Sequence, residues 1–130
     1  MKTYPEIDKK SGLTFAFEIE NVYINISNAS RTLSHVDGVT EVRVRRLFSK
    51  WEEIHIWFKY LNHDCVVWEP FGDNSRYWIG SLNPKEATLD ISRVENAFKQ
   101  YRPSFIREVL GDLLSFRVFS RLLNKGVRSQ

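Results

Sequence analysis

Ile54-His55-Ile56-Trp57-Phe58-Lys59-Tyr60-Leu61-Asn62-His63-Asp64-Cys65-Val66-Val67-Trp68 reads as two strands joined by a tight turn. At a period of two, Ile54, Ile56, Phe58 and Tyr60 share one face and His55, Trp57 and Lys59 the other. Leu61-Asn62-His63-Asp64 carries hairpin-turn chemistry, and Cys65–Trp68 is the returning strand. Upstream, Val42 and Val44 alternate with Arg43 and Arg45 in a further strand, before Ser49-Lys50-Trp51-Glu52 breaks the pattern. Downstream, Pro70 ends the returning strand because it has no N–H for a ladder. Phe71-Gly72-Asp73-Asn74-Ser75 then turns into Arg76-Tyr77-Trp78-Ile79. Consecutive strands with short links predict an antiparallel meander.

Flanking segments complete the architecture. Thr14–Glu20 alternates Phe15, Phe17 and Ile19 with Ala16, Glu18 and Glu20, as a half-buried strand does. The period then changes: Val22, Ile26, Ala29, Leu33 and Val36 line one face of a helix, with Asn21 as N-cap and Asp37-Gly38 as the stop. A second helix carries Ile91, Val94, Phe98 and Tyr101, with Thr88 or Asp90 as its cap. Arg102 before Pro103 marks a corner into a last helix from Ser104 to Asn124, whose apolar residues cover far more than one stripe. Residues 1–13 show no period and read as a loosely ordered N-terminal arm.

The expected fold class is α+β: an antiparallel sheet of four to five strands, in the order β-α-β-β-β-β-α-α, with helices packed on the aliphatic face. Residues 1–130 make one domain, with Val42, Val44, Ile54, Ile56, Phe58, Val67, Tyr77 and Ile79 in the core beside Leu33, Val94 and Phe98. The pattern leaves open whether the first strand joins the sheet at its edge or inside it.

Composition narrows the function classes. The chain has 130 residues, 42% hydrophobic, enough for one core. The apolar runs are too short for a membrane span, and the opening MKTYPEIDKK lacks the apolar stretch of a secretory signal. The lone Cys65 forms no internal disulfide, so a cytoplasmic location is expected. The net charge of +3 is too small to imply a polyanionic partner. The basic excess lies toward the C-terminus, where Arg102, Arg107, Arg117, Arg121, Lys125 and Arg128 face only Glu108 and Asp112.

Opposite the aliphatic face, the strands present Arg43, Arg45, His55, Trp57, Trp68, Arg76 and Trp78, a set suited to contact with a partner. Neighbouring indoles beside guanidinium groups suit a protein interface, including self-association. They also suit stacking with RNA or single-stranded DNA, helped by the basic C-terminal helix. The pattern has a purely structural alternative, in which the apolar last helix covers the tryptophans and makes that face core. Glu69 and Asp73 form a possible polar site with Arg76 as an anion holder. The plainer reading is a turn capped by Asp73, with Glu69 and Arg76 paired across the hairpin. His63, Asp64 and Cys65 near His55 do not have the paired ligand spacing of a zinc site, and no glycine-rich phosphate loop occurs. No catalytic residue, metal or cofactor is therefore assigned. The expected function is that of a non-enzymatic binding or adaptor protein, with nucleic-acid binding as the alternative and a small Glu/Asp/Arg enzyme behind both.

Overall fold

The computed structural model describes residues 1–45, 54–69, 75–83 and 89–103. The expected last helix, Asp73 and the Thr88 cap lie outside them. Six strands, β1 (Tyr4–Ile7), β2 (Thr14–Glu20), β3 (Val39–Val44), β4 (Ile54–Tyr60), β5 (His63–Trp68) and β6 (Arg76–Ser81), form one antiparallel sheet in the order β1-β2-β6-β5-β4-β3. Two helices, α1 (Ile26–Ser34) and α2 (Ser92–Gln100), pack on one face. The α+β class and the β3–β6 meander agree with the alternation of the sequence. β2 lies inside the sheet, between β1 and β6.

The extra strand corrects the expected count. β1 comes from the segment read as a loose arm, and it pairs with β2 from Tyr4↔Glu18 to Ile7↔Thr14. A short edge strand containing Pro5 has no clean alternation, because only its inner side is paired. Tertiary bonds tie this segment down further. The Met1 amino group donates to the carbonyls of Lys99 and Tyr101 at 2.8 Å each, at the carbonyl end of α2. Thr3 Oγ1 donates to the buried Glu95 Oε2 at 2.8 Å.

Local chemistry sets the element ends. Leu61 and Asn62 have φ of 49° and 65°, the paired left-handed geometry of a two-residue hairpin turn, so His63 belongs to β5 and not to the turn. α1 begins at Ile26, not Val22. Asn25 Oδ1 accepts from Asn28 N at 2.7 Å, so Asn25 is the cap in place of Asn21, and β-branched Val22 stays out of the first turn. At α2 the N-cap position is Ile91, not Asp90, and carries no side-chain cap; Asp90 Oδ1 accepts from Ser92 N at 3.1 Å just ahead of the helix.

The core lies between the sheet and the two helices. Phe17, Ile19, Ile56, Phe58, Val67, Tyr77 and Ile79 meet Ala29, Leu33, Val94 and Phe98, and the Phe17 and Phe98 rings approach to 5.6 Å. Two expected core residues are placed differently. Val44 is 48% exposed, because β3 is an edge strand with a neighbour on one side only. Ile54 pairs with Trp68 across a register shift that turns it to the opposite face. Val42 remains half-buried against the core.

Replacing Phe98 by Ala removes the ring that joins α2 to β2. The expected loss is about 3–5 kcal/mol, read from the urea midpoint at unchanged slope; an unchanged midpoint would contradict this packing. Burial pushes the Cys65 thiol up to about 12 from its ordinary 9.0. The unfolded thiol ionises first, so this group's contribution is fully present below pH 9.0 and is lost as pH rises toward about 12. Iodoacetamide at pH 8 should label Cys65 only in denaturant; rapid labelling of the native chain would show that the thiol is accessible.

Candidate binding face

Because side chains alternate along a strand, burial of Ile56 and Phe58, of Val67, and of Tyr77 and Ile79 sends Trp57, Trp68 and Trp78 to the other side of the sheet. Register then fixes their neighbours. Tyr4, Glu18, Trp78, Trp68 and Ile54 form one row across five strands. Glu6, Ala16, Gly80, Val66, Trp57 and Arg43 form the next. Trp68 and Trp78 meet edge to face, with centroids 6.0 Å apart and ring planes at 84°. All three indoles are half-buried.

The floor beneath them is built of small residues. Ala16 is 0% and Val66 3% exposed, although neither belongs to the core cluster on the helix side. A Cβ on Gly80, between them in the row, would come 2.6 Å from Trp78 Cη2 and 2.9 Å from Ala16 Cβ. The indole of Trp78 therefore lies down along β6, and only glycine leaves room beneath it. A half-exposed aromatic surface over a closed floor results.

Its margin is polar and balanced. The Arg76 guanidinium sits 3.8 Å from the Tyr4 ring centroid, and Nη1 donates to Glu18 Oε2 at 3.1 Å. Tyr4 Oη donates to Glu20 Oε1 at 2.7 Å. A cation over an exposed ring contributes about 0.5–1 kcal/mol, so this corner orients Arg76 more than it stabilises the fold. Near the other edge, Lys59 Nζ meets Glu41 Oε2 at 3.2 Å, and Arg43 is exposed beside Trp57.

The residues expected on this face are therefore only partly gathered there. Trp57, Trp68, Trp78, Arg43 and Arg76 are on it. Arg45 follows β3, with its backbone N–H donating to the His55 carbonyl at 2.8 Å. His55 leaves the face. Between Ile54 and Ile56 the β4 strand carries one residue more than β5, and this bulge turns the imidazole to the helix side of the sheet. There it lies edge-on to the buried Tyr77, centroids 5.5 Å apart, and Nε2 is 3.0 Å from Glu69 Oε1. Glu69 thus pairs with His55 and Arg76 with Glu18, so the expected Glu69–Arg76 contact across the hairpin is replaced. Among the described residues no group of three or more His, Cys, Asp and Glu side chains comes together to hold a metal.

Tyr4, Glu18 and Glu20 were missing from the sequence-derived face. The alternation of β2 carried the signal for both glutamates, but Tyr4 required the pairing of β1. Among the described residues no helix is long and apolar enough to cross a membrane. The chain matches no known family model, curated protein or solved structure.

Gly80→Ala tests the seat of Trp78. The added methyl must displace the indole and move β2 away, at an expected cost of about 1–3 kcal/mol together with a changed near-ultraviolet circular dichroism spectrum. A variant with native stability and spectrum would show that Trp78 does not rest on β6.

Proposed function

We propose that this chain is a non-enzymatic binding protein that takes another protein, in the first instance a second copy of itself, on the tryptophan face of its sheet. One observation supports this most. Both described helices lie on the aliphatic face, while Trp57, Trp68 and Trp78 gather on the other over a floor already closed to water. Aromatic side chains with arginine at the margin are the composition of energetically dominant interface residues. The charges of the face also favour a protein. Glu6, Glu18, Glu20 and Asp64 accompany Arg43, Lys59 and Arg76, and the last two are already held by carboxylates.

Nucleic acid is the second reading, supported by Arg43 beside Trp57, where a base would stack between an indole and a guanidinium. A phosphate backbone would, however, meet the four carboxylates. The small-enzyme reading has least support, since Glu69 and Arg76 bond to different partners. A free, buried Cys65 suits the reducing cytoplasm in which we place the protein.

Size exclusion with light scattering, at low and high salt and with absorbance at 260 and 280 nm, tests the proposal. The expected result is a salt-resistant dimer or larger species without excess absorbance at 260 nm, shifted to monomer by Trp57→Ala and Trp78→Ala variants that stay folded. Variants that lose stability heavily yet assemble as before would make the face part of the core and overturn the reading. Co-elution with nucleic acid at low salt alone would put the second reading first.

A further inference from the structure

A groove of about 570 Å³ runs between α1 and α2, on the side of the helix layer away from the sheet, and is separate from the tryptophan face. Each helix contributes one ridge to it. Asn28, Arg31 and His35 step along α1 and its C-cap by three and four, and Arg93, Asn96 and Gln100 step along α2 in the same way. Seven residues of helix make walls roughly 10 Å long. The buried Val36 and half-buried Ala97 line it with apolar surface, and Tyr101 adds an aromatic ring.

The charged lining is mostly positive. Arg31 and Arg93, on facing helices, are exposed, and neither has an ion pair with a described residue. Among the described residues Asp37 is the one carboxylate lining the groove. His35 Nδ1 lies 2.7 Å from the Arg31 carbonyl, so that ring nitrogen is engaged within α1 and not in the groove. Two arginines and an apolar strip lining one groove, with a single carboxylate among the described residues, match an anion carrying an apolar body.

The nature of the donors narrows the anion. Many phosphate sites use free backbone amides at helix N-termini or in glycine-rich loops. Here both helices present their flanks, where the amides are engaged within the helix, and side chains alone supply the N–H groups. Guanidinium forks take carboxylate and phosphate alike in bidentate fashion, and with no backbone amides to meet further phosphate oxygens the planar carboxylate is the better match. A volume of this size suits a small molecule.

The geometry points to a binding site for a small organic acid, its carboxylate held by Arg31 and Arg93 and its apolar part against Val36, Ala97 and Tyr101. The probe is 3-phenylpropionate, with the neutral 3-phenylpropionamide as control, titrated into the ¹⁵N-labelled full chain and followed by amide NMR shifts. The acid should give saturable shifts centred on Arg31, Thr32, His35, Ala97 and Tyr101, and the amide should bind weaker by about tenfold or more, the loss expected for a bond to a charged group. The Arg31→Gln/Arg93→Gln double variant, altered only at exposed positions, should keep the native spectrum and lose the response. Absence of saturable shifts, an equal response to the amide, or binding that survives in the folded double variant would each overturn the assignment. Shifts that map to the tryptophan face instead would overturn it as well, while leaving the self-association reading to its own test.

Discussion

The pairing of β2 with β6 joins the β1–β2 hairpin to the β3–β6 meander, and both faces of the sheet depend on it. Opposed residues must share a face, so Phe17↔Ile79 and Ile19↔Tyr77 build the core side while Ala16↔Gly80 and Glu18↔Trp78 build the other. A slip by one residue would exchange the two sets, burying Glu18 and exposing Phe17. Gly80 and Ala16 are part of this constraint, because they leave space for the indole that closes the outer side. After β2 the chain must cross the helix face to reach β3 at the far edge, and α1 makes that crossing against β3 and β4. α2 then covers β2, and the Phe17–Phe98 contact completes the layer.

Two irregularities change the chemistry of the faces without changing the topology. The bulge at His55 moves one imidazole from the tryptophan side to the end of the core, where Glu69 and Tyr77 receive it, and brings Ile54 to the side of Trp68. In β3, Glu41 with φ of 53° takes up a second register shift, and its carboxylate meets Lys59. These two bulges lie in or beside the edge pair β3–β4, and a third shift interrupts β1 at the other edge between Glu6 and Ile7; irregular pairing at an edge also discourages continuation of the sheet into another molecule.

The molecule therefore offers two surfaces of different character. The sheet side is aromatic, closed beneath and balanced in charge, a combination that suits broad contact with another protein. The helix side has a groove with an apolar strip and two arginines that make no ion pair among the described residues, suited to a small anion. Six strands and two helix flanks separate these uses, so a change in one need not disturb the other.

The sequence by itself determined the elements β2 to β6, both described helices, most of the residues named for the core and the aromatic character of the opposite face. These follow from local periods of two and of about three and a half, which each segment carries alone. Only the tertiary structure decided that β1 is a strand, that β2 lies inside the sheet, that His55 changes sides, and that Arg76 bonds to Glu18 and stacks on Tyr4. The reason is physical. An edge strand with one paired side needs no alternation, an extra residue in a strand is defined only against its partner's register, and an ion pair is chosen by residues that the fold brings together across dozens of positions in the chain.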